Sequence, residues 1–479
     1  VGRRKQSCKM TTENRSACTR DHEQQFDNSA TVLEKIAGLY AEHLLSDITL
    51  EVGGKQYAAH RLILCASSDV FQVMLMDPKW RSSQMSHIEL KEEPPCEAVF
   101  GDFLGYLYTG RTRVDHARVL PLVALADKYN VKDLMHLCIS YMAQHIVTAA
   151  HHNQLVSWFC YTLNCDSASV QTSFSNFIAW NFELVAQMED FGNIELDVLI
   201  SFLRRSDLVV ASEFQLFNFA ARWLFLQESW SHSSRSGDEE AFGNTVVKVM
   251  SHIRFPMLTI AELAGLMSHP LTLRFQGFFL DRIGVALDFQ NRARLNGYRH
   301  RYAKLIVPRI YTSETWSTSL CIDNFTRRKT FGVHTLIFMT PASLSGAMSD
   351  KMLEWTVDVY PKGVLFHKFL LIALRGTLEG PESRTKTVRL SLTSSRFNED
   401  TTIVVSVLVS GKQDGVEHVR MVVQKEFTFT KENRMLNLDD LVPYGELNEA
   451  PGGTSPFLVG PQCDLFRLRI AITPLCVKP

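Results

Sequence analysis

Near residue 300 the spacing of the apolar residues changes period, so the two parts of the chain need different architectures. Before that point apolar side chains recur at about 3.6-residue intervals, as amphipathic helices require. Phe174, Phe177, Ile178 and Phe182 form one stripe, and Phe214, Phe217, Ala221 and Leu224 another. Beyond it they alternate: Trp355, Val357, Val359; Val388, Leu390, Leu392; Phe466, Leu468, Ile470, Ile472. Alternation marks half-buried strands. Ile403 to Val409 is apolar without alternation, as expected of a strand covered on both faces. Turn residues separate these runs at Pro361-Lys-Gly363, Gly411 to Gly415 and Pro451-Gly-Gly453. Residues 301–479 are therefore expected to form an antiparallel β-sandwich.

Upstream, the two periods mix. Ile48, Leu50 and Val52 alternate, Gly53-Gly54 supplies a two-residue hairpin turn, and Lys55 to Ala59 returns. His60 to Met76 reads as one or two helices, and His87 to Leu90 as a third strand. Pro94-Pro95 opens a helix that Gly110 closes. Two further helices run through Leu122, Leu125, Ala126 and Tyr129, then Leu134, Leu137, Cys138 and Tyr141. Ahead of these, Val32, Leu33, Ile36, Leu39 and Tyr40 put an apolar face on a leading helix. Residues 146–270 read as helices alone, interrupted by a polar loop from Ser229 to Asn244. The fold class is α+β multidomain: an α/β domain over 29–145, an all-α domain over 146–270 and the sandwich over 301–479. Residues 1–28 are expected to be a disordered tail and 271–300 a connector.

The 479 residues carry a formal net charge of -1, which gives no global field to draw nucleic acid or an acidic membrane. The most basic stretch, Arg292 to Arg309, is short, and a surface connector accounts for it better than a nucleic-acid patch. No run of about 18 apolar residues is present, so no membrane span is expected. The ten cysteines include no CxxC pair, which argues against a zinc ribbon. Free thiols in a reducing compartment are the simpler reading, and the location expected is cytoplasmic. The alternative is a secreted form whose signal peptide was removed before Val1; it predicts disulfides among Cys160, Cys165 and others. His151-His152 has no acidic or Cys partner at i+3 or i+4, so no metal is expected. No GxSxG elbow, GxGxxG or P-loop occurs. The chain is expected to be no enzyme and to need no cofactor.

Leu45-Ser-Asp-Ile-Thr-Leu, Ala59-His-Arg-Leu-Ile-Leu-Cys-Ala-Ser-Ser, Val70-Phe-Gln-Val-Met, Phe103-Leu-Gly-Tyr-Leu-Tyr-Thr-Gly and Leu125-Ala-Asp-Lys-Tyr-Asn-Val occur in that order. With them, residues 44–145 resemble a BTB/POZ domain. Ile253-Arg-Phe-Pro marks 146–270 as similar to the BACK domain that follows BTB in many adaptors. Glu354-Trp-Thr-Val-Asp-Val-Tyr-Pro-Lys-Gly resembles a strand and turn of TRAF/MATH-like sandwiches.

The resemblance implies a homodimer, with Val32, Leu33, Ile36, Leu39 and Tyr40 exchanged across a two-fold axis. Asp47 and Arg61 match the family's charged pair in the dimer pocket. It also implies a ubiquitin-ligase adaptor that bridges cullin-3 to a substrate protein held by the sandwich. Trp80 would fill the cullin pocket, with Phe71, Met74, Met76, Arg81, Tyr106 and Tyr108 around it. Ser82 stands where the family has a glutamate. Two other readings stay open: a secretory-route scaffold without cullin binding, and a transcriptional cofactor.

Overall fold

The computed structural model describes residues 27–165, 167–231, 238–291, 305–345, 351–365, 386–394, 400–450 and 455–475. Most of the expected tail, residues 292–304 of the basic stretch and the turn at 451–453 lie outside the described residues. The chain divides into two compact units, residues 1–114 with 121–132, and residues 115–120 with 133–479.

The first unit runs α1 (Ser29–Ala41), β1 (Ile48–Val52), β2 (Lys55–Ala59), α2 (Arg61–Ser67), α3 (Asp69–Met76), a 3-10 turn (Arg81–Gln84), β3 (His87–Leu90), α4 (Pro94–Thr109) and α5 (Val119–Lys128). Its sheet has the order β2-β1-β3, antiparallel on the β2 side and parallel on the β3 side. Gly53 and Gly54 turn the hairpin at φ of 55° and 73°, where a Cβ is disfavoured. Ser68 separates α2 from α3 because its hydroxyl accepts the Phe71 N–H (3.0 Å), a helix N-cap. The core gathers around Tyr129. Its ring stacks on Phe71 (centroids 4.5 Å) and lies 5.5 Å from Phe103. Its hydroxyl donates to Glu92 (2.6 Å), and burial followed by that carboxylate raises the phenol pKa, so it stays a donor.

The second unit begins with helices α6 (Lys132–Gln144), α7 (Ile146–His151), α8 (Leu155–Leu163), α9 (Ala168–Trp180), α10 (Phe182–Gln187) and α11 (Leu196–Arg204). After a two-residue strand, β4 (Val209–Val210), come α12 (Glu213–Ser231), α13 (Asp238–Met250), α14 (Ile260–Leu266), α15 (Pro270–Arg274) and α16 (Gln276–Asn291). Two expectations change here. Helices α12 and α13 take up Ser229–Ser231 and Asp238–Asn244, where a polar loop is expected. The segment expected to be a connector is helical through Asn291, because Phe279, Ile283, Ala286 and Phe289 recur at helical spacing and are buried.

After β5 (Ile310–Tyr311), which pairs with β4, the sandwich contains β6 (Ser317–Ile322), β7 (His334–Pro341), β8 (Met352–Tyr360), β9 (Arg389–Thr393), β10 (Thr401–Gln413), β11 (Val416–Phe429), β12 (Met435–Leu438), the short helix α17 (Tyr444–Asn448), β13 (Leu458–Val459) and β14 (Leu465–Pro474). One sheet has the order β11-β10-β14-β13, with β6 also on β14; the other has the order β12-β9-β8-β7. All their pairings are antiparallel. The core between them takes the alternating residues read from the sequence: Trp355, Val357, Val359, Val388, Leu390, Leu392, Phe466, Leu468, Ile470 and Ile472. Asp414-Gly415 makes the β10–β11 turn, with φ of 50° and 83°. Gly411, expected in that turn, lies inside β10, where a Cβ would meet the Pro456 carbonyl at 2.7 Å.

Strand β10 is covered on both faces, as its unbroken apolar run predicts. Ile403, Val405, Val407 and Val409 face the sandwich core. Leu408 packs with Val209, Ile310, Ala471 and Trp180 on the helical side. There β4 pairs in parallel with β5. The Asn181 side chain bonds the β11 backbone, accepting from Val419 N–H (2.8 Å) and donating to its carbonyl (3.0 Å). At the hairpin tip, Thr148 donates to Asp414 (2.7 Å) and Gln413 donates to the Gln144 carbonyl.

Candidate interaction surfaces

Helix α1 is amphipathic, but only its second half is covered. Ile36, Leu39 and Tyr40 are half-buried, while Val32 and Leu33 are exposed. The Tyr40 ring stacks on Tyr108 of α4 (4.7 Å), and its hydroxyl reaches the Gly101 carbonyl (3.4 Å). Tyr108 is itself tied down. Its hydroxyl accepts the His60 N–H (2.8 Å) and meets His60 Nδ1 (2.9 Å), while His60 Nε2 meets the Leu44 carbonyl (2.6 Å). A carbonyl only accepts, so Nε2 carries the proton and Nδ1 takes the phenol's. Burial pushes the Tyr108 phenol up to about 12.

The expected Asp47–Arg61 charge pair takes a different form. Asp47 is exposed, and its carboxylate accepts the Arg61 backbone N–H (2.8 Å). The Arg61 guanidinium turns to the carbonyls of Leu75 (3.2 Å), Ser83 (3.1 Å) and Met85. It thereby fixes the end of α3 against the 3-10 turn, since guanidinium donors satisfy several carbonyls at once.

The residues expected to meet cullin-3 separate into two sets. Phe71, Tyr106 and Tyr108 are core residues and present no surface. Phe71 and Leu75, four apart on α3, share its inner face. The outer face carries Val70, Val73 and Met76, which is 65% exposed, with Met74 half-buried beside them. Trp80 follows at 55% exposure. The Arg81 side chain lies outside the described residues. Ser82 points inward, its hydroxyl donating to the Met74 carbonyl (2.7 Å).

In the second unit a buried charge cluster ties the helices to β5, the strand that leads into the sandwich. Arg309, in the stretch expected to be a surface connector, is fully buried and bonds Glu213 through Nε (3.1 Å). It also donates to the carbonyls of Arg205 (2.6 Å) and His252 (2.9 Å). Glu213 further accepts the Arg254 N–H (2.7 Å) and the Tyr311 hydroxyl (2.9 Å). The Arg254 guanidinium donates to the Val307 carbonyl (2.6 Å) and to Ser206 (3.0 Å). Burial acts to raise the Glu213 carboxyl, but Arg309 and Arg254 outweigh it and hold its pKa low. Burial and then Arg309 push Arg254 down to about 10. Arg254 is the arginine of Ile253-Arg-Phe-Pro, so that short motif marks a structural junction. No local pattern announces Glu213 and Arg309 as partners 96 positions apart.

The outward face of sheet β12-β9-β8-β7 carries a polar row. Thr335, Asp358, Ser391 and Asn437 stand in register across four strands. Thr335 donates to Asp358 (2.6 Å), and Ser391 to Asn437 (2.5 Å). Beside the row, Arg389 pairs with Asp439. Among the described residues no group of three His, Cys, Asp or Glu is placed to hold a metal. His152 instead stacks on His116 (3.8 Å). No described helix is long and apolar enough to cross a membrane.

Residues 37–146 match the BTB/POZ domain family, 155–268 the BACK family (BTB And C-terminal Kelch), and 306–476 the BTBD17 TRAF domain. This is a BTB–BACK–TRAF chain. It is homologous to BTB/POZ domain-containing protein 17. It is 27% identical to the Xenopus laevis protein of that name over 348 residues, 71% of this chain and 69% of that one. The human protein is 28% identical over 351 residues, 70% of this chain and 67% of that one. Galectin-3-binding protein of Bos taurus is 26% identical over 312 residues, 63% of this chain and 51% of that protein. BTB, BACK and TRAF domains are protein-interaction modules and typically non-catalytic.

Proposed function

We propose that the chain is a non-enzymatic, homodimeric, cytoplasmic adaptor that recruits cullin-3 through its BTB domain and holds a substrate protein on its sandwich for ubiquitination. Exposed Val73 and Met76 on the outer face of α3, whose inner face completes the core, and exposed Trp80 just beyond its end carry this reading. A tryptophan and a methionine exposed together supply the apolar anchors that dominate interface energies. Val32 and Leu33 supply the uncovered face for a second copy. The exposed Thr335 and Asn437 and the half-buried Asp358 of the polar row supply hydrogen-bonding groups along the sandwich for a substrate segment.

Titration of the purified chain against the cullin-3 N-terminal region, with Trp80→Ala alongside, tests it. Micromolar or tighter binding, weakened at least about tenfold by Trp80→Ala, is expected; that factor corresponds to about 1.4 kcal/mol. No binding by a folded dimer sinks the reading.

One observation favours a second reading, a secretory-route scaffold without cullin binding. Ser82 spends its hydroxyl on the Met74 carbonyl and offers no charge outward. On that reading the same titration is blank, and thiol counting on the native chain finds disulfides rather than free cysteines.

A further inference from the structure

A sandwich has open margins, and proteins ordinarily protect them with charges, bulges, shortness or a covering element. Strand β11 carries Gln424, Lys425 and Glu426 on its exposed stretch, has a register shift opposite Val409 and Ser410, and is covered by Asn181 at Val419. Strand β12 is four residues long, and β13 only two. Strand β6 exposes only the small residues Ser319 and Cys321.

Among the described residues strand β7 has no charged side chain, no register shift and no second strand along it. It forms the margin of its sheet over eight residues, His-Thr-Leu-Ile-Phe-Met-Thr-Pro, without one Asp, Glu, Lys or Arg. Ile337 is 61% exposed and Met339 47%. Among the described residues only β8 pairs with it. Every second residue therefore points its N–H and carbonyl away from the sheet with no described strand to receive them.

We propose that β7 is a self-association edge, at which a second copy of the chain adds its own β7 antiparallel across a two-fold axis. Centred on Ile337, the pairing sets Ile337 against its copy, Leu336 against Phe338, Thr335 against Met339 and His334 against Thr340. No charge meets a like charge in that register. The two ends of the strand are electrostatically different, and this selects the antiparallel arrangement. Exposed Arg327, Arg328 and Lys329 precede it, with Asp358 of β8 across from Thr335, while its far end has both Lys351, beside Ala342, and Glu354, across from Met339. Antiparallel pairing keeps the two basic ends apart, where parallel pairing would bring them together. Pro341, which has no N–H, ends the run. An isologous contact of this kind is independent of any two-fold contact made by the BTB domain.

The test is sedimentation equilibrium of the full chain over roughly a hundredfold range of concentration, compared with Ile337→Lys and Met339→Lys. Both side chains point to solvent, and circular dichroism and thermal melting confirm that the variants fold. The wild-type mass is expected to climb with concentration to at least twice that of either lysine variant, which stay level. Ile337→Thr, which adds no charge and keeps strand propensity, is expected to associate nearly as the wild type does. Equal masses for wild type and both lysine variants at every concentration would overturn the proposal, whatever other segment the strand takes.

Discussion

Each unit buries one carboxylate that receives a tyrosine hydroxyl, and the two sites differ in what else surrounds that carboxylate. In the first unit Glu92 receives Tyr129, and its counter-charge is Lys128, whose side chain is half-exposed. In the second Glu213 receives Tyr311, and its counter-charge Arg309 is wholly buried, with Arg254 beside it. Glu92, only 3% exposed itself, meets water through the half-exposed Lys128 position, so water can replace that partner. Glu213 sits where nothing replaces it. A buried ion pair is a weak source of net stability but a strong constraint, because removing either half strands the other. The first unit can lose its ion pair and keep its fold; the second is held together through its own.

The sharpest way to break that comparison is to remove one charge from each unit. Glu213→Gln keeps the shape and leaves two buried guanidinium groups short of a carboxylate, so it is expected to destabilise the second unit by about 3–5 kcal/mol. Lys128→Met is expected to change the first by no more than about 1 kcal/mol. Urea unfolding with segment-resolved hydrogen exchange reads the two separately, and equal losses would dissolve the contrast. A smaller effect is expected at Asn181. Alanine there leaves the Val419 N–H and carbonyl without their side-chain partner, and a loss of about 1–3 kcal/mol is expected in the second unit alone. Protection of amides in β11 near Val419 should fall with it, and unchanged protection would remove Asn181 from the account.

The mildest effect is that of acid. Burial lowers the pKa of His252, His269 and His418, with nearby arginines adding to it at His252 and His418. These side chains stay neutral when folded, whereas the unfolded chain binds protons near the ordinary value of about 6.5. Their contribution to stability is complete above that value and is lost as the pH falls below it. The melting temperature of the second unit is therefore expected to drop between neutral pH and about pH 5.5, and His418→Gln to flatten part of the drop. A melting temperature insensitive to this range would show that these rings open to water before unfolding.

Period alone made most of the fold legible. The strands through Trp355, Val388 and Phe466 repeat a face often enough to declare which side is core, and Gly110 closes α4 where the left-handed backbone requires it. Strand β4 was illegible because two residues carry no alternation, and its partner β5 lies 101 positions on. Among the candidate contacts, Trp80 and Met76 stand exposed, but Phe71 does not. Its four-residue spacing from Leu75 already pairs it with an inward-facing side chain, a signal that motif likeness obscured. The self-complementary edge at β7 becomes visible only beside the other margins of the sandwich.

The position of β10 bears on how the chain is made. It lies between β11 and β14, and β14 ends at Pro474. The face of β10 at Leu408 covers Val209 and Ile310 on the helical side, and the hairpin tip bonds residues 144 and 148. A ribosome therefore releases the whole helical region before its cover exists. The first unit has its partners close in sequence and can fold as it emerges. The second must wait with apolar surface open, so its yield in a cell depends on what shields that surface during translation.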